Sequence, residues 1–315
     1  AMGGLFASRL SAAGETVAVM DVWQEHIETI RQQGLILEDE AGTFVSHPAA
    51  VTRVEDLPPA DLIIIFVKSY MTGAAAQSAR EILGPSTRVL TLQNGLGNAE
   101  TIAGVVGKER VLAGTTAMGA TLLGVGRIRL GGTGDTHIGR LAGPADEFCH
   151  ETARVLSQAG LPTTADDEVQ SLIWGKLVIN IGINALTALL KLRNGQLADF
   201  YETRELVEMA VGEAVQVAAA AGIWLPYEDA VSKVLATAKA TAANQSSMLQ
   251  DILNGRHTEI DAINGALVRE GERVGVLTPV NRTLTLLIRT LEKRVGYVER
   301  GAGDSVADGA GSGEK

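Results

Sequence analysis

The spacing of hydrophobic positions divides the chain into two parts. Up to about residue 165, short apolar runs alternate with amphipathic segments, which is typical of a parallel sheet covered by helices. From about Asp166 to Val298 apolar residues recur at helical spacing, which predicts an all-helical part. The runs in the first part predict strands at Glu15–Asp21, Asp61–Val67, Arg88–Gln93 and Arg110–Thr116, and helices at Glu25–Gln33 and Asp146–Ala159.

We therefore expect an α/β protein with two domains and a tail. Residues 1–165 should form a doubly wound parallel sheet, residues 166–300 a helical domain, and residues 301–315, rich in Gly, Ser and Asp, a disordered tail. Within the first domain, Leu35–Ser46 reads as a hairpin that turns at residues 40–42. The alternating segments between Gly119 and Leu141 read as edge strands that close the sheet.

One predicted helix, Leu172–Leu190, is apolar on almost every side and should be buried. Three polar residues interrupt it: Lys176, Asn180 and Asn184. Because they are four residues apart, they share one narrow face of the helix. Burying such groups without partners costs roughly 1–3 kcal/mol for each neutral group, so polar partners should face this stripe. A satisfied buried network and a ligand-binding wall both fit the spacing.

The first 21 residues resemble part of a dinucleotide-binding motif. Ala1–Leu10 reads as the start of a helix, and the strand after it ends in an acid, Asp21. In the complete motif a strand leads through Gly-x-Gly-x-x-Gly into a helix, and an acid follows about 20 residues later. Gly3 fits the third glycine, which permits close helix–sheet packing, whereas the first strand and first two glycines are not among these residues. Asp21 also fits a simple turn residue at a strand end.

Two loops follow apolar strands, where ligands of open α/β sheets bind. Lys68 lies at the end of one strand, where it suits a phosphate of a cofactor or a plain surface position. Asn94 lies in the segment Gln93–Gly97, whose two glycines allow close approach of the backbone to a ligand. In the helical part, 245–251 and 256–261 are polar clusters. Thr258 and Asp261 fit a helix capping box, which does not need Glu259 and leaves its side chain able to point elsewhere.

Composition narrows the class of protein. A net charge of −10 argues against a nucleic-acid groove. Cys149 is the single cysteine, so an internal disulfide is excluded and a reducing compartment is expected. The five histidines show no metal-ligand spacing, and no apolar run reaches 18 residues. We expect a cytoplasmic globular protein that binds neither a metal nor a membrane.

The chain resembles the ketopantoate reductase family. The resemblance rests on Lys176–Ala188, Ser246–Asp251 and His257–Asp261, with Lys68 and Gln93–Gly97, in this order over nearly the whole chain. It implies a Rossmann domain, a helical domain, an active site in the cleft between them, and reduction of 2-dehydropantoate to (R)-pantoate by NAD(P)H in pantothenate biosynthesis.

The resemblance also implies roles for matching positions. Lys176 would be the general acid that meets the developing alkoxide, and Glu259 would bind the substrate hydroxyl and steady Lys176. Lys68 would lie near the adenosine end of the cofactor. Orientation of the substrate would fall to Asn180, Asn184 and Ser247, and Asn94 would sit between nicotinamide and substrate.

The sequence leaves alternatives open for both the cofactor and the substrate. The resemblance implies NADPH as the family default, and members that prefer it usually carry an arginine after the second strand. Residues 19–24 contain Asp21 and no arginine, which favours NADH. A D-2-hydroxyacid dehydrogenase acting on another branched or aromatic 2-oxo acid fits the same residues. A non-catalytic dinucleotide sensor would lack Lys176 and Glu259, which are both present. Apolar faces of the helical domain suggest a homodimer.

Overall fold

The computed structural model describes the backbone of residues 1–304 and the side chains of residues 1–294. The chain divides into two compact units, residues 1–173 and residues 174 onward. We expected the boundary at residue 165. It falls later because Ile173 packs on the core of the first unit and Val169 lies against Gly139 of that unit.

The first unit contains helices and strands in alternation. Its helices are α1 (Met2–Ala12), α2 (Gln24–Gln33), α3 (Thr72–Arg80), α4 (Asn98–Val106) and α5 (Glu147–Gln158). Its strands are β1 (Ala18–Met20), β2 (Leu35–Asp39), β3 (Gly42–Ser46), β4 (Ala49–Val51), β5 (Ala60–Ile65), β6 (Leu83–Thr91), β7 (Val111–Thr116), β8 (Gly119–Gly124), β9 (Arg127–Gly132), β10 (Thr136–Arg140) and β11 (Thr163–Ala165).

The main sheet has five strands in the order β11-β10-β7-β6-β5, and β5, β6 and β7 are parallel. Successive residues of β6 point to opposite faces, so Val89 packs against α3 and α4 while Leu90 packs against α1 and α5. Burial on both faces explains why these strands are continuous apolar runs. The predicted doubly wound parallel sheet is confirmed. Cys149 of α5 lies in this core, where burial raises the pKa of its thiol to about 11.

Strands β1 and β4 form a separate parallel pair. In the Rossmann strand order 3-2-1-4-5-6, the first strand lies between the second and the fourth. Among residues 1–304, β1 pairs only with β4 and with no strand of the five-stranded sheet.

The segment 119–141 differs from our expectation of edge strands closing the main sheet. β10 is internal to that sheet and antiparallel to β7, while β8 and β9 belong to a second sheet of order β3-β2-β9-β8. The reason is burial: Ile128 of β9 and Leu37 of β2 lie opposite each other and pack under Leu5 of α1. The hairpin predicted at Leu35–Ser46 is confirmed as β2 and β3.

The described residues of the second unit form helices joined by loops and contain no strand, as predicted. Its helices are α6 (Val169–Leu190, which starts in the first unit), α7 (Tyr201–Ala220), α8 (Ala230–Ala240), α9 (Ser247–Leu253), α10 (Asn264–Val274) and α11 (Pro279–Asp304). Residues 305–315, most of the predicted tail, lie outside the described residues.

Helix α6 is the core of the second unit. Its length and composition would suit a membrane span, but 67% of its apolar window is buried inside the protein, as in a core helix of a soluble protein. Two glycines that are seven residues apart, and therefore on the same face of the helix, permit close packing. A Cβ on Gly175 would lie 2.8 Å from Pro226, and one on Gly182 would lie 2.6 Å from Val234 of α8. These contacts set the rotation of α6 and therefore the direction of its polar stripe.

Candidate active site

The polar stripe is present on α6 in the predicted form. Lys176, Asn180 and Asn184 all lie within this one helix, so their spacing of four places them on the same face. Asn184 is buried, whereas Asn180 and Lys176 keep partial exposure. The stripe is therefore a polar surface that runs from the partly exposed part of α6 into the interior of the second unit.

The electrostatic environment of Lys176 is unusual for a lysine. Burial lowers the pKa of its ammonium from 10.5 to about 8, and the negative charge of Glu259 acts in the opposite direction. Desolvation disfavours the charged form, which is the common way in which proteins bring a lysine pKa towards neutrality. Such an ammonium is still charged at neutral pH but gives up its proton more readily than an exposed lysine does.

Glu259 lies in a turn between α9 and α10 and is 7% exposed. The capping box expected at Thr258 and Asp261 is wrong, because α10 starts only at Asn264. Thr258 Oγ1 instead accepts a hydrogen bond from Ile260 N over 3.1 Å, within the turn. Asp261 bonds to an arginine of α11. Glu259 lies in this turn with its negative charge acting on Lys176.

Ser247 is the first residue of α9, and the residue before it caps that helix. Ser246 Oγ accepts a hydrogen bond from Leu249 N over 3.1 Å. The hydroxyl of Thr187 on α6 donates to the same oxygen over 2.8 Å, and both side chains are buried. This bond seats the start of α9 beside the turn of α6 that follows Asn184, and Ser247 itself is exposed there.

In the first unit, a partly buried hydrogen-bond network connects the loops that follow β5 and β6. Gln93 Nε2 donates to Val67 O over 2.6 Å and to Thr72 Oγ1 over 2.9 Å. Thr72 Oγ1 donates to Asn98 Oδ1, and Asn98 Nδ2 donates to the carbonyl oxygen of Asn94, each over 2.9 Å. The network thereby holds the backbone beside Lys68 and the backbone of Asn94 in one arrangement.

A concave pocket lies at the carboxyl ends of β6 and β7, where open α/β sheets bind ligands. Gly95 and Gly97 line it with φ near +90°, a conformation that side chains disfavour, so both glycines are required by the turn. The other lining residues are Thr91, Gln93, Leu96, Asn98, Ala99, Glu100, Ala113, Gly114, Gln170 and Ile173.

The remaining predicted cofactor residues lie at the amino-terminal end of the first unit. Asp21 directly follows β1 and is exposed, and its Oδ1 accepts a hydrogen bond from Trp23 N over 2.9 Å. Gly3 is in the first turn of α1, where an added Cβ would lie 3.7 Å from Phe66. Gly4 has the tighter contact, 3.3 Å to Ile128, so close packing of α1 depends more on Gly4 than on Gly3.

Each unit thus gathers a subset of the predicted residues. The second unit brings together the stripe on α6, Glu259 and the start of α9; the first holds the loops of Lys68 and Asn94 together and places Asp21 at the end of β1. The network of Thr72 and Asn98 escaped sequence reasoning, and so did Thr187. For Thr187 the available signal was a polar residue inside the apolar pattern of α6. Thr72 and Asn98 are the first residues of α3 and α4, where the helical pattern offers no such signal.

Comparison with known proteins gives a consistent result. The family described as "Ketopantoate reductase PanE/ApbA" matches residues 1–143, and its C-terminal part, "Ketopantoate reductase PanE/ApbA C terminal", matches residues 168–292. A 2-dehydropantoate 2-reductase of Halobacterium salinarum is 36% identical over 294 residues, covering 93% of this chain and 96% of that protein.

Two solved structures are similar over most of their length. A ternary structure of D-mandelate dehydrogenase with NADH and anilino(oxo)acetate has a TM-score of 0.88 at 30% identity, covering 94% of this chain and 97% of that one. A PanE/ApbA family ketopantoate reductase from Ralstonia eutropha JMP134 has a TM-score of 0.86 at 30% identity, covering 92% and 95%. On the family match, the identity and the shared fold, the chain belongs to the ketopantoate reductase family.

Proposed function

We propose that the protein reduces 2-dehydropantoate to (R)-pantoate with NAD(P)H, a reaction of pantothenate biosynthesis. Family membership and the curated relatives named 2-dehydropantoate 2-reductase support this reaction. The observation that carries it is the environment of Lys176, which shares a helix face with Asn180 and Asn184. Burial lowers the pKa of its ammonium, and the negative charge of Glu259 partly offsets this effect.

Reduction of a ketone creates negative charge on its oxygen. When bound, the reduced nicotinamide supplies a hydride to the ketone carbon. Lys176 hydrogen-bonds the ketone oxygen and donates a proton to the alkoxide that develops there. A positioned general acid contributes about 10²–10⁴-fold in rate, and its pKa near 8 suits proton donation at neutral pH.

The other residues of the second unit orient the substrate. We assign the substrate hydroxyl to Glu259, whose carboxylate accepts from it. The substrate carboxylate and remaining oxygen atoms receive hydrogen bonds from Asn180, Asn184 and Ser247, which offer amide and hydroxyl donors. Fixing a small acid at several points is what makes its reactive carbon available in one orientation.

The first unit fits a dinucleotide in the parts that the structure describes. The glycine turn at Gly95 and Gly97 leaves its backbone open to a ligand at the carboxyl ends of two parallel strands. We assign Asn94 to the nicotinamide side, Lys68 to a phosphate or the adenosine end, and Asp21 to the ribose. Gly3 belongs to the helix that follows the phosphate loop in a complete motif.

For the cofactor we propose a preference for NADH. A carboxylate such as Asp21 accepts hydrogen bonds from ribose hydroxyls and repels a 2′-phosphate. His26 offers no compensating charge: burial lowers its pKa, and its Nδ1 accepts a hydrogen bond from Gly126 N over 2.9 Å. Arg53 follows β4, the parallel neighbour of β1, but it already pairs with Glu55 at 3.4 Å.

A second candidate is a D-2-hydroxyacid dehydrogenase for another branched or aromatic 2-oxo acid. The similarity to D-mandelate dehydrogenase supports it, since that structure has a TM-score of 0.88 against 0.86 for the ketopantoate reductase. The polar contacts assigned here recognise any 2-oxo acid, so the choice depends on the substrate hydroxyl and side chain. Glu259 favours 2-dehydropantoate, because only a substrate with a hydroxyl group can donate the hydrogen bond that we assign to its carboxylate.

The test is replacement of Lys176 by Ala. Turnover of 2-dehydropantoate should fall by about 10²–10⁴-fold, while the dissociation constant for the reduced cofactor, measured by fluorescence titration, stays within about twofold. Lys239→Ala, an exposed lysine at the end of α8, is the matched control and should keep full activity. An unchanged rate in Lys176→Ala would contradict proton donation by Lys176, and the absence of turnover by the wild-type protein would favour the non-catalytic sensor.

We further place the protein in the cytoplasm, in keeping with the burial of α6 inside the protein and with the buried, reduced thiol of Cys149.

A homodimer formed through the helical unit is a prediction that sedimentation equilibrium would test.

A further inference from the structure

We infer that Glu292 of α11 is a positioning residue for Glu259. The Glu259 loop, residues 256–263, connects α9 and α10, and α11 holds it in place from outside. This inference rests on the proposed role of Glu259 in binding the substrate hydroxyl.

The central contact is between Glu292 and the residue immediately before Glu259. Glu292 Oε1 accepts a hydrogen bond from Thr258 N over 2.7 Å, although the two residues are 34 positions apart. The side chain of Glu292 is only 11% exposed, and its other oxygen lies 3.7 Å from the ring of His257. A short bond from a backbone N–H to a shielded carboxylate is among the stronger hydrogen bonds in proteins. It fixes the backbone at the position where Glu259 begins.

Two further residues of α11 hold the other end of this segment. Arg289 donates from Nε and Nη2 to Asp261 Oδ1, at 2.7 and 2.6 Å. Asn281 Oδ1 accepts from Asn264 Nδ2 over 2.9 Å, where α10 starts. At 100° per residue, positions 281, 289 and 292 fall within about 80° of one another around the helix. One side of α11 therefore touches the segment before, within and after the turn that carries Glu259.

The start of α11 is itself anchored in the core. The buried carboxylate of Glu213 on α7 accepts hydrogen bonds from Asn281 N over 3.0 Å and from Asn281 Nδ2 over 2.7 Å. It also accepts from Val280 N over 2.7 Å, so it satisfies the first amides of the helix. Because α11 cannot shift easily at its start, Glu292 offers the loop a fixed point three turns further on.

The consequence is a defined effect of Glu292 on substrate choice. Removing its carboxylate leaves the Thr258 amide, in a residue only 5% exposed, without this acceptor. The loop then settles in other positions, and a displacement of about 1 Å in a positioned group can cost on the order of 100-fold in rate. Because the charge of Glu259 also acts on Lys176, substrates without a hydroxyl group should lose some activity, but much less than 2-dehydropantoate does.

The experiment compares 2-dehydropantoate with 2-oxoisovalerate, which lacks the hydroxyl group. Glu292→Ala should lower kcat/KM for 2-dehydropantoate by about 10- to 100-fold and leave that for 2-oxoisovalerate within about threefold. Glu292→Gln retains an oxygen that accepts from Thr258 N and should restore most of the loss. Glu272→Ala is the matched control: this acid pairs with Arg282 of α11 at 3.4 Å, with both side chains exposed, and does not bond the loop. Thermal unfolding of each variant checks that it is folded.

A double-mutant cycle separates this inference from the proposed function. If Glu292 acts through Glu259, then adding Glu292→Ala to Glu259→Ala should cause no further loss. Equal losses on both substrates, additive losses in the cycle, or no loss at all would overturn the positioning role. If instead Glu259→Ala alone fails to distinguish the two substrates, the assignment of the hydroxyl to Glu259 is wrong, and the positioning role is overturned with it.

Discussion

At the scale of single residues, the proposed chemistry depends on Lys176, whose pKa is lowered by burial to about 8. The stripe of Lys176, Asn180 and Asn184 was predictable from spacing alone, because a helix turns by a constant angle per residue. The lowered pKa of Lys176 was not predictable, since it arises from burial by residues remote in sequence. Glu259 was identified only by resemblance, and its electrostatic link to Lys176 emerges from the fold.

The pKa of Lys176 predicts the alkaline limb of the pH profile. A general acid must be protonated, and the protonated fraction falls as the pH rises through about 8. We expect kcat/KM for 2-dehydropantoate to be level near neutrality and to fall about tenfold per pH unit well above pH 8. Steady-state rates between pH 6 and 10, with circular dichroism to confirm folding, provide the measurement. A profile that stays level to pH 10 would argue against proton donation by Lys176.

Asp21 predicts the cofactor preference. Replacing it by Ala removes the acceptor for the ribose hydroxyls and the charge that repels a 2′-phosphate, so kcat/KM should fall for NADH and rise for NADPH. We expect the ratio of the two to change by roughly tenfold or more, as for the loss of one charged hydrogen bond. If the wild-type protein uses NADPH at least as well as NADH, or if Asp21→Ala leaves the ratio unchanged, the proposed preference fails.

At the scale of elements, α6 shows what sequence patterns specify and what they omit. Its length and apolar character follow directly from the sequence, but its rotation depends on Gly175 and Gly182 meeting residues of other segments. The same holds for β9, whose parallel pairing with β2 joins positions about 90 residues apart. Non-local pairing of this kind leaves no local signal, and so β8 and β9 were assigned to the wrong sheet.

The close contact at Gly175 predicts a stability effect. A Cβ there would lie 2.8 Å from the rigid ring of Pro226, so Gly175→Ala should overpack this face. Overpacking costs about 1–3 kcal/mol, and the gain in helix propensity recovers up to about 1 kcal/mol. We expect a lower free energy of unfolding in urea. The matched control is Gly212→Ala in α7, where nothing lies within 4 Å of the added Cβ and stability should rise. Equal stabilisation of both variants would contradict the packing account.

At the scale of the whole molecule, the two-part pattern of the sequence corresponds to two compact units. The parallel sheet and the helical unit were predictable because each has its own hydrophobic period. The order of strands was only partly predictable, since β10 inserts between β7 and β11 through pairings that periodicity does not encode. The residues assigned to the reaction are distributed over both units, which accounts for their wide separation along the chain.

The most direct test of the central claim is the specificity of the wild-type protein among 2-oxo acids. We would measure kcat/KM for 2-dehydropantoate, 2-oxoisovalerate and benzoylformate with the preferred reduced cofactor. A site that hydrogen-bonds a substrate hydroxyl should reject analogues without it, so we predict that 2-dehydropantoate exceeds both by at least about tenfold. A value for 2-oxoisovalerate or benzoylformate equal to or above that for 2-dehydropantoate would contradict the account and assign the protein to another 2-oxo acid.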